Sequence, residues 1–112
     1  MKKAYPTFIV FDPDDNTGHS YLVYVPDMDL YTEGDSYENA IEMARDIISL
    51  QGIAYEDDKR ELPTASSYDE ARSIAENNTD ITDFTKGILT LVNVDWFFTK
   101  SKEFNNCYIL LS

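Results

Sequence analysis

Residues 26–50 read PDMDLYTEGDSYENAIEMARDIISL, and this stretch decides the plan of the chain. It leaves an extended segment, passes an acidic turn and enters the strongest helical pattern in the sequence. Tyr37, Ala40, Ile41, Ala44, Ile47 and Ile48 recur at helical spacing, so one face is apolar. Glu38, Asn39, Glu42, Arg45, Asp46 and Ser49 fall on the opposite, polar face. Asp35 or Ser36 can cap the first free N–H groups, and Asp35 with Glu38 has capping-box spacing. Gly34 suits a turn with positive φ, and Gln51-Gly52 reads as a stop signal. The expectation is a helix from Ser36 to about Gln51 lying on a sheet.

Working outward, residues 4–11 form a strand pattern rich in aromatic and β-branched side chains, with Phe8 and Val10 on one side and Tyr5, Thr7, Ile9 and Phe11 on the other. Pro6 lacks a ladder donor and belongs near the start of this strand. Asp12-Pro13-Asp14-Asp15-Asn16-Thr17-Gly18 is a turn cluster that closes a hairpin with a second strand over 20–25. Residues 30–33 suit a short edge strand. Beyond the helix, 55–67 is polar and reads as a loop. Ser67-x-x-Glu70 is a further capping box, opening a short helix to about Asn77 through Tyr68, Ala71, Ile74 and Ala75. The run GILTLVNV, 87–94, has the length and continuity of a central strand covered on both sides. A right-handed crossover allows it to lie parallel to the first strand. Trp96, Phe97 and Phe98 are expected to cover the sheet edge, and 104–112, ending in YILL, could supply a last strand. The order is β-β-β-α-(α)-β, an α+β fold with one antiparallel or mixed sheet and a helix on one face.

The chain has 112 residues, one domain's worth, with 21 acidic and 9 basic side chains and a net charge of −12. The charge is uneven. Residues 12–46 hold ten acids and one base, Arg45, whereas 84–112 hold two acids and three lysines. Such a surface repels phosphate backbones and complements a basic protein. One cysteine, Cys107, excludes an internal disulfide and points to a reducing compartment. No run is long enough to span a bilayer or serve as a leader, so the expected location is cytoplasmic.

Chemistry-bearing motifs are sparse. Asp12, Asp14 and Asn16 begin like a calcium loop, but Thr17 and Val23 stand where Gly and Glu are needed, so the stretch reads as a plain turn. His19 is the only histidine and adjoins a turn. Cys107 has no second group to activate it. The carboxylates sit in loops or on the polar helix face, and there is no phosphate-cradling glycine loop. The residues therefore indicate a binding protein with no catalytic, cofactor or metal site.

Tyr5-Pro6, Pro26-Asp27, Thr32-Glu33-Gly34-Asp35-Ser36, Ala40-Ile41-Glu42-Met43-Ala44-Arg45-Asp46, Leu62-Pro63-Thr64-Ala65-Ser66 and Leu91-Val92-Asn93-Val94-Asp95, in this order, resemble the HicB antitoxin family over residues 4 to about 105. The resemblance implies a β-β-β-α-β core like a reduced ribonuclease H fold. It also implies a basic HicA-like partner, a small toxin that cleaves mRNA, whose RNA-binding and catalytic surface would be blocked. Where family members have a Pro-Gly-Cys-like turn, this chain has Asp27-Met28-Asp29-Leu30. Family members continue into a helix-turn-helix or ribbon-helix-helix module, which the residues after Asn105 are too few to form, so no DNA binding is expected of this chain. Residues 1–95 are expected to be the HicB-like domain and 96–112 a short C-terminal tail.

The partner contacts expected are Asp12, Asp14, Asp15, Asp27, Asp29 and Glu33. The apolar Trp96, Phe97, Phe98 and Tyr108 to Leu111 suggest a homodimer or larger assembly. The alternatives are a metal-dependent nuclease of ribonuclease-H-like ancestry, which the lack of strand-borne carboxylates disfavours, and an orphan protein-binding regulator.

Overall fold

A computed structural model describes residues 2–96. The elements are β1 (Lys2–Phe11), β2 (Tyr21–Val25), a single 3-10 turn (Pro26–Met28), β3 (Leu30–Gly34), α1 (Tyr37–Asp57), α2 (Tyr68–Glu76), a second 3-10 turn (Phe84–Lys86) and β4 (Ile88–Asp95). The four strands form one antiparallel sheet in the order β3-β2-β1-β4. In register, Phe11 lies opposite Tyr21, Tyr21 opposite Gly34, and Ile9 opposite Ile88. β1 outruns β2, so Pro6 sits where only β4 pairs with it, opposite Leu91, and its missing donor interrupts no ladder to β2.

The period-2 alternation of β1 separates two cores. Tyr5 and Ile9 join Val23, Val25, Val92 and Val94 beneath Ala40, Ala44 and Ile48 of α1. Phe8 and Tyr24 face the other way, against Ala71 and Ala75 of α2 and Phe84. Ala40, Ala44 and Ile48 are fully buried, as the helical spacing requires, and burial of the Ile48 side chain contributes about 1.5–3 kcal/mol. On the second face Tyr24 and Tyr31 stack with centroids 4.8 Å apart, and Asn78 Nδ2 donates to both hydroxyls.

Several local expectations are corrected by the fold. β4 is antiparallel to β1, and it is an outer strand of the four. The cause is α2. α1 carries the chain away from the β1–β2 hairpin end, and a direct return would have produced a parallel strand. Instead the chain crosses to the other face, α2 and the following loop bring it back to the hairpin end, and β4 starts opposite Ile9. Covered on the α1 face, β4 buries Val92 and Val94 while Leu91 and Asn93 stay exposed.

α1 does not stop at Gly52 but continues to Asp57. A Cβ on Gly52 would lie 2.6 Å from Cε2 and Nε1 of Trp96, so this glycine makes room for a ring. Trp96 is fully buried against Tyr5, and its Nε1–H donates to the Ser49 carbonyl at 3.3 Å. Ser49 is thus buried, not on a solvated face, and Trp96 fills the core instead of covering the sheet edge. Beside it, Arg45 Nε donates to the Asn93 carbonyl at 3.0 Å. Gly34 has no positive φ; a Cβ there would meet the Ala40 nitrogen at 2.6 Å, so close approach to the start of α1 explains it.

The caps form as the pattern predicts, with one exception. Ser36 caps α1 by accepting from Asn39 N at 3.0 Å, and Asn39 Oδ1 accepts from Asp35 N at 2.8 Å, so the cap is Ser36 and the expected Asp35–Glu38 box does not form. Ser67 and Glu70 close a complete capping box on α2. The expected strand over 104–112, together with Phe97, Phe98 and Tyr108 to Leu111, lies outside the described residues.

Candidate partner-binding surface

The hairpin loop between β1 and β2 is built by its own side chains. Asp12 Oδ1 accepts from Asp14 N at 3.0 Å, and the Asp12 N–H donates to the Ser20 carbonyl at 2.7 Å. Asp15 Oδ1 accepts from Thr17 N at 2.8 Å, and Gly18 takes φ 88°, which closes the turn. The Thr17 backbone N–H, then its hydroxyl, hold the Asp15 carboxyl below its ordinary pKa, so it stays ionised. His19 Nδ1 contacts Asp35 Oδ1 and ties the loop to the entry of α1. The outcome is an acidic turn closed by its own side chains, with the Asp12 and Asp15 carboxylates bonded to the loop backbone.

The six acids named from the sequence do not form one patch. Asp12, Asp14 and Asp15 gather at the hairpin tip, with Asp35 beside them and the exposed Glu33 one step along the edge strand, opposite Leu22. Asp27 and Asp29 lie at the other end of β2, about 14 Å away at the rise of an extended strand. Asp27 is occupied internally: it accepts from Ser66 N at 2.8 Å and from the Ser66 hydroxyl. Together with the Tyr5 hydroxyl, which donates to the Pro63 carbonyl at 2.8 Å, it pins the 58–67 connection to the sheet. Asp29 takes the left-handed corner, φ 52°, that a glycine would otherwise hold.

Sequence reasoning missed the apolar side chains beside the acidic tip. Pairing of β1 with β4 sets Phe11 and Ile88 at the same sheet end, where they are 56% and 55% exposed. With Tyr21 and Tyr37 they line an open groove of about 510 Å³, rimmed by Asp83 and Lys86. Phe11 and Tyr21 rings pack at 5.1 Å. The signal available in the sequence was an apolar residue at a strand end, flanking an acidic turn. Among the described residues, no group of three or more His, Cys, Asp and Glu is placed to hold a metal, and no helix is long and apolar enough to cross a membrane.

An antiparallel four-stranded sheet with a helix on each face, carrying an acidic hairpin tip, defines an α+β domain. A chain of a solved structure, "Toxin-Antitoxin complex from Streptococcus pneumoniae", shares this fold with a TM-score of 0.66 at 23% identity, over 85% of this chain and 70% of that one. The family model described as HicB_like antitoxin of bacterial toxin-antitoxin system matches residues 5–107, and the chain belongs to that family. No curated protein matches it.

Proposed function

We propose that this chain is an antitoxin that binds a HicA-type mRNA-cleaving toxin and neutralises it by masking the toxin's RNA-binding surface. Membership of the HicB-like antitoxin family over residues 5–107 carries the reading. The −12 net charge supports it, since a protein that binds RNA presents basic residues and an acidic partner can occupy them in place of phosphate. Asp12, Asp14, Asp15 and Glu33 are the proposed electrostatic contacts; Asp29 is exposed but distant from them, and Asp27 has its structural role. The mode of action is binding, not catalysis, and its setting is the cytoplasm.

The test is co-expression of the chain with a HicA-type toxin, together with stopped-flow association of the purified pair. Growth should be rescued, and the on-rate should fall as salt rises, because exposed charges are screened over about 8–10 Å at 0.1–0.15 M ionic strength. No rescue combined with no measurable binding would rule the reading out.

A further inference from the structure

We infer that the groove at the hairpin end is the anchoring site for the toxin, taking an apolar side chain of the partner that is flanked by lysine or arginine. This deepens the antitoxin reading and rests on it.

The groove brings exposed apolar side chains and acidic groups together at one end of the sheet. Its apolar side is made by Phe11 and Ile88, each more than half exposed on adjacent strands, together with Tyr21 and Tyr37. Its surroundings are acidic: Asp12, Asp14 and Asp15 on the hairpin loop, Asp35 ahead of α1 and Asp83 below, against one base, Lys86. Asp83 Oδ1 accepts from Thr85 N and from the Thr85 hydroxyl, interactions that favour its charged form. Protein interfaces concentrate affinity in a desolvated apolar centre and leave charge to the rim. A partner with a basic surface matches the rim, and its projecting aliphatic or aromatic side chain matches the centre. A second copy of this chain brings the same negative rim and is opposed by it. Ile81, 63% exposed and beside Asp80, lines a separate groove with Glu33 and Phe84. Leu50, 66% exposed, lies thirteen residues along α1 from Tyr37, about 20 Å at the helical rise.

The two parts of the site separate kinetically. Exposed charge acts on the rate of encounter, and buried apolar contact acts on the rate of escape. The experiment measures association and dissociation by surface plasmon resonance, with a HicA-type toxin that the unmutated chain binds as the probe. Phe11→Ser with Ile88→Ser should raise the off-rate at least tenfold and leave the on-rate within twofold. Asp12→Asn with Asp14→Asn should lower the on-rate and flatten its salt dependence. Leu50→Ser should change neither. Hydroxyl-radical footprinting of the unmutated complex gives a measure free of any folding defect, and oxidation of Phe11 and Tyr21 should drop on binding. A wild-type off-rate in the Phe11/Ile88 variant, or undiminished oxidation of Phe11 in the complex, overturns the anchoring site while leaving the antitoxin reading intact. Absence of any HicA-type toxin that the unmutated chain binds overturns both.

Discussion

Replacing Gly52 by alanine should destabilise the protein, although the same change in most helices is favourable. Gly52 lies inside α1, where alanine gains about 1 kcal/mol over glycine in helix propensity. The added methyl, however, would sit 2.6 Å from the Trp96 ring. That ring has little freedom to give way: it is fully buried, it packs on Tyr5 with centroids 6.3 Å apart, and its N–H is bonded to Ser49. Overpacking of this kind costs about 1–3 kcal/mol, and a buried indole puts it at the upper end, about 3 kcal/mol. The net loss is therefore about 2 kcal/mol, or on the order of 10 °C in Tm for a domain of this size. Trp96→Leu alone should cost about 3 kcal/mol through the volume it removes. In that background the clash is gone, so Gly52→Ala should now stabilise by about 1 kcal/mol. A double-mutant cycle by urea denaturation should return a coupling of about 3 kcal/mol between the two positions. A Gly52→Ala protein that melts above the parent, or a coupling near zero, would refute the account of this glycine.

Ile48→Ala removes a fully buried side chain at the centre of the α1 interface and should cost about 2–5 kcal/mol, read as a lower urea midpoint; a change within error would mean that α1 does not press on the sheet there. Asp27→Asn weakens the acceptor that holds Ser66 and should cost about 1–2 kcal/mol while leaving toxin association untouched, so unchanged stability with slowed association would reassign Asp27 to the interface. Tyr5, pushed up to about 12 mainly by burial and next by the Asp27 charge, ionises more easily unfolded than folded. Its contribution is complete below pH 10, the ordinary tyrosine value, and is lost as pH rises from 10 towards 12. Alkaline denaturation of Tyr5→Phe should accordingly be shallower across that window, and an identical profile would count against the assignment.

Much of the architecture was legible because it depends on local pattern. Alternation in β1 assigns Phe8 and Tyr5 to opposite faces, helical spacing names Ala40, Ala44 and Ile48, and Ser67 with Glu70 marks where α2 begins. These signals lie within a few residues of one another, and steric rules alone turn them into structure. The acidic tip was equally readable, since Asp, Asn, Pro and Gly at these spacings close a turn by bonding their own backbone.

What tertiary structure decided involves residues far apart in the chain. The direction of β4 follows from the face on which α2 packs, and a capping box says nothing about that choice. Gly52 resembles a helix stop until Trp96, 44 positions later, is seen against it. Ser49 and Arg45 look solvated in sequence because Arg45 donates to the Asn93 carbonyl of a distant strand and the Ser49 carbonyl accepts from Trp96, bonds to the backbone that leave no mark on side-chain pattern. The groove of Phe11 and Ile88 exists only through the β1–β4 register, and the split of the acids into two groups only through the length of β2. Local composition set the sign and abundance of charge; long-range pairing set where that charge stands and which apolar side chains stand beside it.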